Sequence, residues 1–135
     1  MAEHLRAERF RVDCVFSSSS QRTKETYDLL KPALGSAPVV FREELYLADE
    51  DGLLSFIQAL PRDARSALLI GHNPGYHMLA NTLVDDACGS DELTTLRLKF
   101  PTGALCSLGF AGTSWGDVRP GTGDLLAFLR PKDID

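Results

Sequence analysis

Apolar and polar residues alternate in short blocks along the first two thirds of the chain. Three short apolar runs rich in β-branched or aromatic residues predict strands, at residues 12–16, 38–41 and 67–70. Three longer stretches with helical spacing predict helices, at residues 21–34, 51–60 and 76–84. Gly35 and Pro61 follow the first two helices as stop signals. The third run, 67–70, is apolar throughout, as expected for a strand covered on both faces.

The last third of the chain has a different pattern. Residues 104–110 and 124–129 predict two strands joined by a Gly-rich connection that contains Trp115 and Pro120, which favours an antiparallel pair. Residues 1–9 are good helix formers and resemble the end of a helix. Strands that alternate with helices, followed by a strand pair, indicate an α/β fold whose mostly parallel sheet has an antiparallel C-terminal edge. We expect one domain over residues 1–135.

Length and charge narrow the class of protein. The 135 residues are 44% hydrophobic and 24% charged, which is ordinary for a globular domain. The net charge of −5 argues against nucleic acid or an anionic membrane as a partner. An anionic substrate would therefore need a local positive pocket. The apolar runs are far shorter than a membrane span and no signal peptide opens the chain, so we expect a cytoplasmic protein.

The three cysteines give no indication of a metal or a disulfide set. Cys14, Cys88 and Cys106 lack the spacing of metal ligands, and an odd number cannot close a set of disulfides. Cys14 and Cys106 lie within apolar runs, where a small buried side chain is the expected role.

A run of four serines, 17–20, follows the first predicted strand and precedes the helix that contains Arg22. Ligands of open α/β sheets bind beyond the carboxyl ends of the strands. A serine there can cap the helix, and the first-turn N–H groups attract anions. Arg22 lies in that first turn, where its guanidinium can grip a phosphoryl group. A purely structural role also fits, with the serines as caps and Arg22 as a solvated surface residue.

A second polar cluster follows the buried strand at 67–70. His72 comes directly after that strand and is flanked by glycines that permit tight turns, Gly71 and Gly75. At the mouth of the sheet it could donate a hydrogen bond to a phosphoryl oxygen, although a satisfied structural histidine is the alternative. His77, inside the next predicted helix, is expected to be structural or exposed. His4, near the start of the chain, has no recognisable role.

The motifs together resemble the SixA-type branch of the histidine phosphatase superfamily. They cover the whole chain in order, and each is weak alone. They are DCVFSS at 13–18, QRT at 21–23, ET at 25–26, ELY at 44–46, LIGHNPG at 69–75, FPTGAL at 100–105 and PKD at 131–133. The resemblance implies a three-layer, phosphoglycerate-mutase-like α/β fold. It also implies a phosphatase that uses neither a metal nor a cofactor and acts through a covalent phosphohistidine intermediate.

The resemblance also assigns roles to residues. Arg22 and His72 are expected to be catalytic, because they hold the phosphoryl group and stabilise the charge on its equatorial oxygens. Ser18 and Asn73 are expected to join them in binding phosphate. The expected partner is a phosphohistidine protein or a phosphorylated small molecule.

The chain departs from the family pattern in three places. No Arg-His pair occurs in it, although the family's nucleophilic histidine belongs to such a pair after the first strand. The alignment places Met1 inside the first helix, so we expect an N-terminally truncated domain whose first, central strand is absent. Ser19 stands where a proline is frequent. Glu43 and Glu44 are poor substitutes for a general acid, which favours a leaving group such as the imidazole of phosphohistidine.

Loss of a central strand would expose unpaired backbone groups on both of its neighbours. Three outcomes are open: an incomplete sequence, a smaller sheet formed by closing the gap, or a strand-paired oligomer. The leading functional prediction is a phosphatase of phosphohistidine or a small phosphoester, inactive as this chain alone. The alternatives are a non-catalytic phosphate-binding or phosphoprotein-binding module and, less favoured, a scaffold on a decaying phosphatase fold.

Overall fold

The computed structural model describes residues 1–112 and 114–133. They form two compact units. The first unit comprises Met1–Ala48 and Pro61–His72, and the second comprises Asp49–Leu60 and the residues from Asn73 onward. A single domain over the whole chain stays a prediction. No helix in the described part of the chain has the length and apolar character needed to cross a membrane.

The first unit is a three-stranded parallel sheet with two helices. Its strands are β1 (Cys14–Ser18), β2 (Val39–Arg42) and β3 (Ala67–Ile70), in the order β2-β1-β3. Its helices are α1 (Ala2–Ala7) and α2 (Gln21–Leu30), and short 3-10 turns lie at Lys31–Ala33 and Glu43–Leu45. Parallel strands require crossover connections, which α2 and the later segments provide.

The central strand β1 is buried because it has a partner on each side. Val15 pairs with Val39 of β2 and with Leu68 of β3. Val15, Ser17 and Ser18 are fully inaccessible to solvent. The predicted strand at 12–16 is therefore displaced by two residues, since the two serines extend the strand rather than end it.

The second unit combines three helices with an antiparallel strand pair. Its helices are α3 (Glu50–Gln58), α4 (Gly75–Leu83) and α5 (Asp91–Leu98), and its strands are β4 (Leu105–Phe110) and β5 (Gly123–Leu129). Its core packs Ala80 and Val84 of the α4 region against Leu96 of α5 and Phe128 of β5. The predicted antiparallel pair is confirmed.

Two details differ from the sequence-based expectation. Among the described residues the strands form two separate sheets, so the antiparallel pair is not hydrogen-bonded to the edge of the parallel sheet. The helix predicted at 21–34 is α-helical only to Leu30, since Pro32 lacks the N–H that the α-helix would need and a 3-10 turn follows. Gly35 then adopts a left-handed conformation with φ 60°, which suits glycine at the end of a helix.

Candidate phosphoryl-binding site

A network of hydroxyl groups fixes the junction between β1 and α2. Ser20 is the N-cap of α2, and its Oγ accepts a hydrogen bond of 3.3 Å from the Thr23 amide. Thr23 is buried, and its Oγ1 donates to the Ser18 carbonyl at 2.7 Å. The end of the strand and the first turn of the helix are thereby held in one arrangement.

The His72 ring lies against this junction. Its Nε2 is 3.0 Å from the Ser18 Oγ and 3.4 Å from the Ser20 Oγ. The Ser18 Oγ also accepts a hydrogen bond of 3.3 Å from the Ser20 amide. A hydroxyl group can donate or accept a hydrogen bond, so Nε2 has a partner in either protonation state of the ring. His72 can therefore exchange a hydroxyl partner for an anion without a buried group losing its only partner.

The Tyr46 ring packs against the His72 ring. The two rings meet edge to face, with centroids 5.4 Å apart and an angle of 80° between their planes. The adjacent Leu45 is almost completely buried and anchors the segment, whereas Tyr46 is 53% exposed. Tyr46 therefore limits the movement of the imidazole and also presents an aromatic surface to solvent beside it.

Arg22 is the second residue of α2 and is exposed to solvent. Its guanidinium makes no hydrogen bond or ion pair with any residue that the structure describes. The amides of Gln21 and Arg22 also donate no hydrogen bond within residues 1–112 and 114–133. The first turn of α2 thus presents free N–H donors, a positive dipole end and an unpaired cation, which is an arrangement suited to an anion.

Asn73 belongs to the second unit and makes two hydrogen bonds there. Its Nδ2 donates to the Phe100 carbonyl at 2.7 Å, and its Oδ1 accepts from the His77 amide at 3.2 Å. These contacts connect the start of α4 to the segment after α5. The predicted role of Asn73 in phosphate binding stays a prediction.

Sequence reasoning misses two neighbours of His72. Ser20 enters the sequence-based site only as one of four serines, and its position as the helix N-cap is the signal that singles it out. Tyr46 belongs to the motifs that carry the resemblance but has no predicted role. Glu44 is an exposed residue of the 3-10 turn Glu43–Leu45, and its carboxylate lies 3.5 Å from the Arg42 guanidinium. Among the described residues, no group of three His, Cys, Asp or Glu side chains could hold a metal ion.

Comparisons with known proteins find relatives in sequence. No family model matches the chain. An uncharacterized protein of Mycobacterium tuberculosis is 32% identical over 130 residues, which is 95% of this chain and 79% of that protein. An uncharacterized protein of Mycobacterium leprae is 29% identical over 121 residues, or 90% of this chain and 73% of that protein.

Two solved structures have a similar fold. A candidate phosphohistidine phosphatase SixA from Nakamurella multipartitia has a TM-score of 0.75 and 29% identity, over 89% of this chain and 71% of that one. Its counterpart from Agrobacterium tumefaciens has a TM-score of 0.75 and 27% identity, over 96% of this chain and 75% of that one. The fold is therefore the phosphoglycerate-mutase-like α/β fold of the histidine phosphatases. Within that class, the chain belongs to the SixA type.

Proposed function

We propose that this chain binds the phosphoryl group of a phosphohistidine or a small phosphoester, with Arg22 and His72 as the residues that hold it. The observation that carries the proposal is the His72 Nε2 on two hydroxyl groups, one of which caps the helix that bears Arg22. Arg22 and the free amides of the first turn supply positive charge, and His72 supplies a ring N–H. Ser18 and Asn73 are proposed as further phosphate-binding residues.

The proposed chemistry is the transfer of the phosphoryl group to a histidine, followed by hydrolysis of the phosphohistidine by water. Negative charge is spread over the equatorial oxygens in the transition state of both steps, and donors already in place stabilise that charge at little reorganisation cost. The leaving nitrogen of a phosphohistidine substrate can be protonated near neutral pH, so a strong general acid is not required.

We further propose that these 135 residues alone do not turn over substrate. They contain three histidines and no Arg-His pair. His72 is assigned to holding the phosphoryl group, and the His77 Nε2 lies 2.6 Å from the Leu96 carbonyl, which occupies it. Hydrolysis of p-nitrophenyl phosphate by the chain, abolished in His72→Gln, would show that the nucleophile lies within these residues after all.

The lack of an Arg-His pair in these residues also favours a second candidate function, a non-catalytic phosphate-binding or phosphoprotein-binding module. The two candidates share the anion site and differ in turnover. The chain, together with any residues encoded in frame upstream of Met1, is assayed on a phosphohistidine peptide to separate them. Release of phosphate supports the phosphatase, and binding without release supports the module.

The binding claim is tested by calorimetric titration of the chain with orthovanadate, an analogue of phosphate. Arg22→Gln should weaken binding by about tenfold or more, because a charge-assisted hydrogen bond contributes roughly 1.5–3 kcal/mol. Arg62→Gln is the matched control, since Arg62 is also exposed and the same charge is removed. Equal affinities in the two variants would place the anion elsewhere.

The partner, the compartment and the oligomeric state are part of the proposal. We propose a phosphohistidine protein or a phosphorylated small molecule as the partner and the cytoplasm as the compartment. Within the described residues β3 pairs only with β1. We propose that its second edge pairs with a strand from another copy. Light scattering after size exclusion would give a dimer mass if that edge is used, and a monomer mass would reject the oligomer.

A further inference from the structure

We propose that the first unit carries a second anion site, a cavity for an oligophosphate at the end of the sheet opposite His72. The cavity has a volume of about 560 Å³. It is lined by the residues that lead into β1 and β2, among them Asp13 and Pro38. The amino ends of these strands face it, whereas Ser18 and His72 lie at the carboxyl ends of β1 and β3.

Three arginines are part of the cavity lining. Arg6, Arg9 and Arg11 line it, and none of them makes a side-chain hydrogen bond or an ion pair with a described residue. The single acidic residue in the lining is Asp13. Its Oδ2 already accepts hydrogen bonds from two backbone amides, those of Arg65 at 2.7 Å and Ser66 at 3.3 Å. Although the net charge of the chain is −5, unpaired positive charge is concentrated around this cavity.

The backbone of Arg9 provides a second, independent observation. The Arg9 amide bonds to the Arg6 carbonyl at 3.1 Å, and the Phe10 amide bonds to the Leu5 carbonyl at 2.9 Å. This is the Schellman ending of α1, in which the residue at the Arg9 position is left-handed and is usually glycine. Arg9 has φ 56° there, so the arginine occupies a conformation that disfavours a side chain. Residues held in disfavoured backbone conformations cluster at ligand sites, which is consistent with a binding role for Arg9.

Further donors and the size of the cavity define the ligand. The amides of Gly35 and Ser36, which also line the cavity, donate no hydrogen bond to any part of the chain that the structure describes. Guanidinium groups together with free amides suit phosphate oxygens, and three cations suit several linked phosphates better than one. The volume lies in the range of small-molecule sites. The shared chemistry is an oligophosphate chain, either free or as the tail of a nucleotide, with Phe10 as an aromatic wall.

The test is calorimetric titration of the chain with tripolyphosphate and, separately, with ATP, both without divalent cations and at low ionic strength. Arg9→Gly is the decisive variant, because glycine suits the left-handed position and the protein should fold at least as stably as the wild type. It should nevertheless bind tripolyphosphate about tenfold more weakly, and Arg6→Gln together with Arg11→Gln should remove binding. Tighter binding of ATP than of tripolyphosphate would assign the site to a nucleotide, and equal binding would assign it to the phosphate chain alone.

Two controls make the result specific. Arg62→Gln removes the same charge outside the cavity and should change the affinity less than twofold. In Arg22→Gln, which weakens the proposed phosphoryl-binding site, the binding event that Arg9→Gly weakens should remain, and this separates the two sites. The proposal is overturned if folded Arg9→Gly binds as the wild type does, or if Arg62→Gln is as damaging. Loss of binding only in Arg22→Gln would overturn it as well.

Discussion

His72 and His77 are five residues apart in the chain, yet their ring nitrogens contact different kinds of atom. The His72 Nε2 lies near two hydroxyl groups in the first unit, at 3.0 and 3.4 Å. The His77 Nε2 lies 2.6 Å from the Leu96 carbonyl in the second unit. A carbonyl can only accept, so His77 must keep a proton on Nε2 and donate it there. Hydroxyl groups can donate or accept, so His72 keeps a ring nitrogen available to a ligand.

The position of Leu96 explains why His77 is needed where it is. Its carbonyl is among the last four of α5, which have no partner within a helix. His77 satisfies that carbonyl from α4, and its ring also contacts Phe100, with centroids 5.9 Å apart. The same residue type therefore supports the packing of two helices in one unit and is available for ligand binding in the other.

The largest expected effect separates the two histidines by function. His72→Gln should lower the affinity for orthovanadate by about 10- to 100-fold, because a donor to the bound oxyanion is lost. Its melting temperature should change little, since glutamine can still bond to the hydroxyl groups. Calorimetric titration of His72→Gln and of His77→Gln with orthovanadate measures both affinities. Equal losses of affinity in the two variants would erase the distinction.

A smaller effect should separate them by stability. His77→Ala leaves the Leu96 carbonyl without its partner and removes the contact with Phe100, so the free energy of unfolding should fall by about 1–3 kcal/mol. Urea denaturation measures this change. Vanadate affinity of the folded variant should stay within twofold of the wild type. A variant that unfolds like the wild type but binds vanadate poorly would reverse the roles assigned here.

The smallest effect concerns pH and the second unit. Burial raises the pKa of the Cys106 thiol to about 12. The folded state therefore favours the neutral thiol. The resulting contribution to the free energy of unfolding is complete below about pH 8.5, the ordinary thiol pKa. It is lost as the pH rises from there toward the pKa of the thiol in the folded state. Between pH 8 and pH 10 the wild type should lose about 1–2 kcal/mol of stability more than Cys106→Ala, as measured by urea denaturation. Parallel pH profiles would contradict the burial of this thiol.

The sequence predicts β3 at its observed bounds, because a short, uninterrupted apolar run between polar residues is typical of a strand covered on both faces. It misplaces β1 for a physical reason. Ser17 and Ser18 look like the end of a strand, yet both are fully buried. The Ser17 hydroxyl donates to the Ser18 carbonyl at 3.0 Å, and the Ser18 hydroxyl meets His72. Hydrophobic periodicity cannot show that a polar group has found a partner.

The helix α5 does not emerge from the pattern of apolar residues. Its two threonines and weak apolar spacing hide it from a periodicity search. Its N-terminus carries a readable signal, because the Ser90 Oγ accepts from the Leu93 amide at 3.1 Å and Asp91 and Glu92 follow in the first turn. The part of the site on β1 and α2 is predictable because strand ends and helix starts have local signals. The contact between the Tyr46 and His72 rings cannot be predicted from the sequence, since it depends on tertiary packing.

The most direct test of the account follows the imidazole protons of both histidines by NMR while orthovanadate is added. We predict saturable shifts of the His72 ring resonances, with the affinity measured by calorimetry, and unchanged His77 resonances. In Arg22→Gln the same shifts should saturate only at about tenfold higher vanadate concentrations or more. Saturable binding that leaves the His72 resonances unmoved would contradict the claim that this imidazole holds the phosphoryl group.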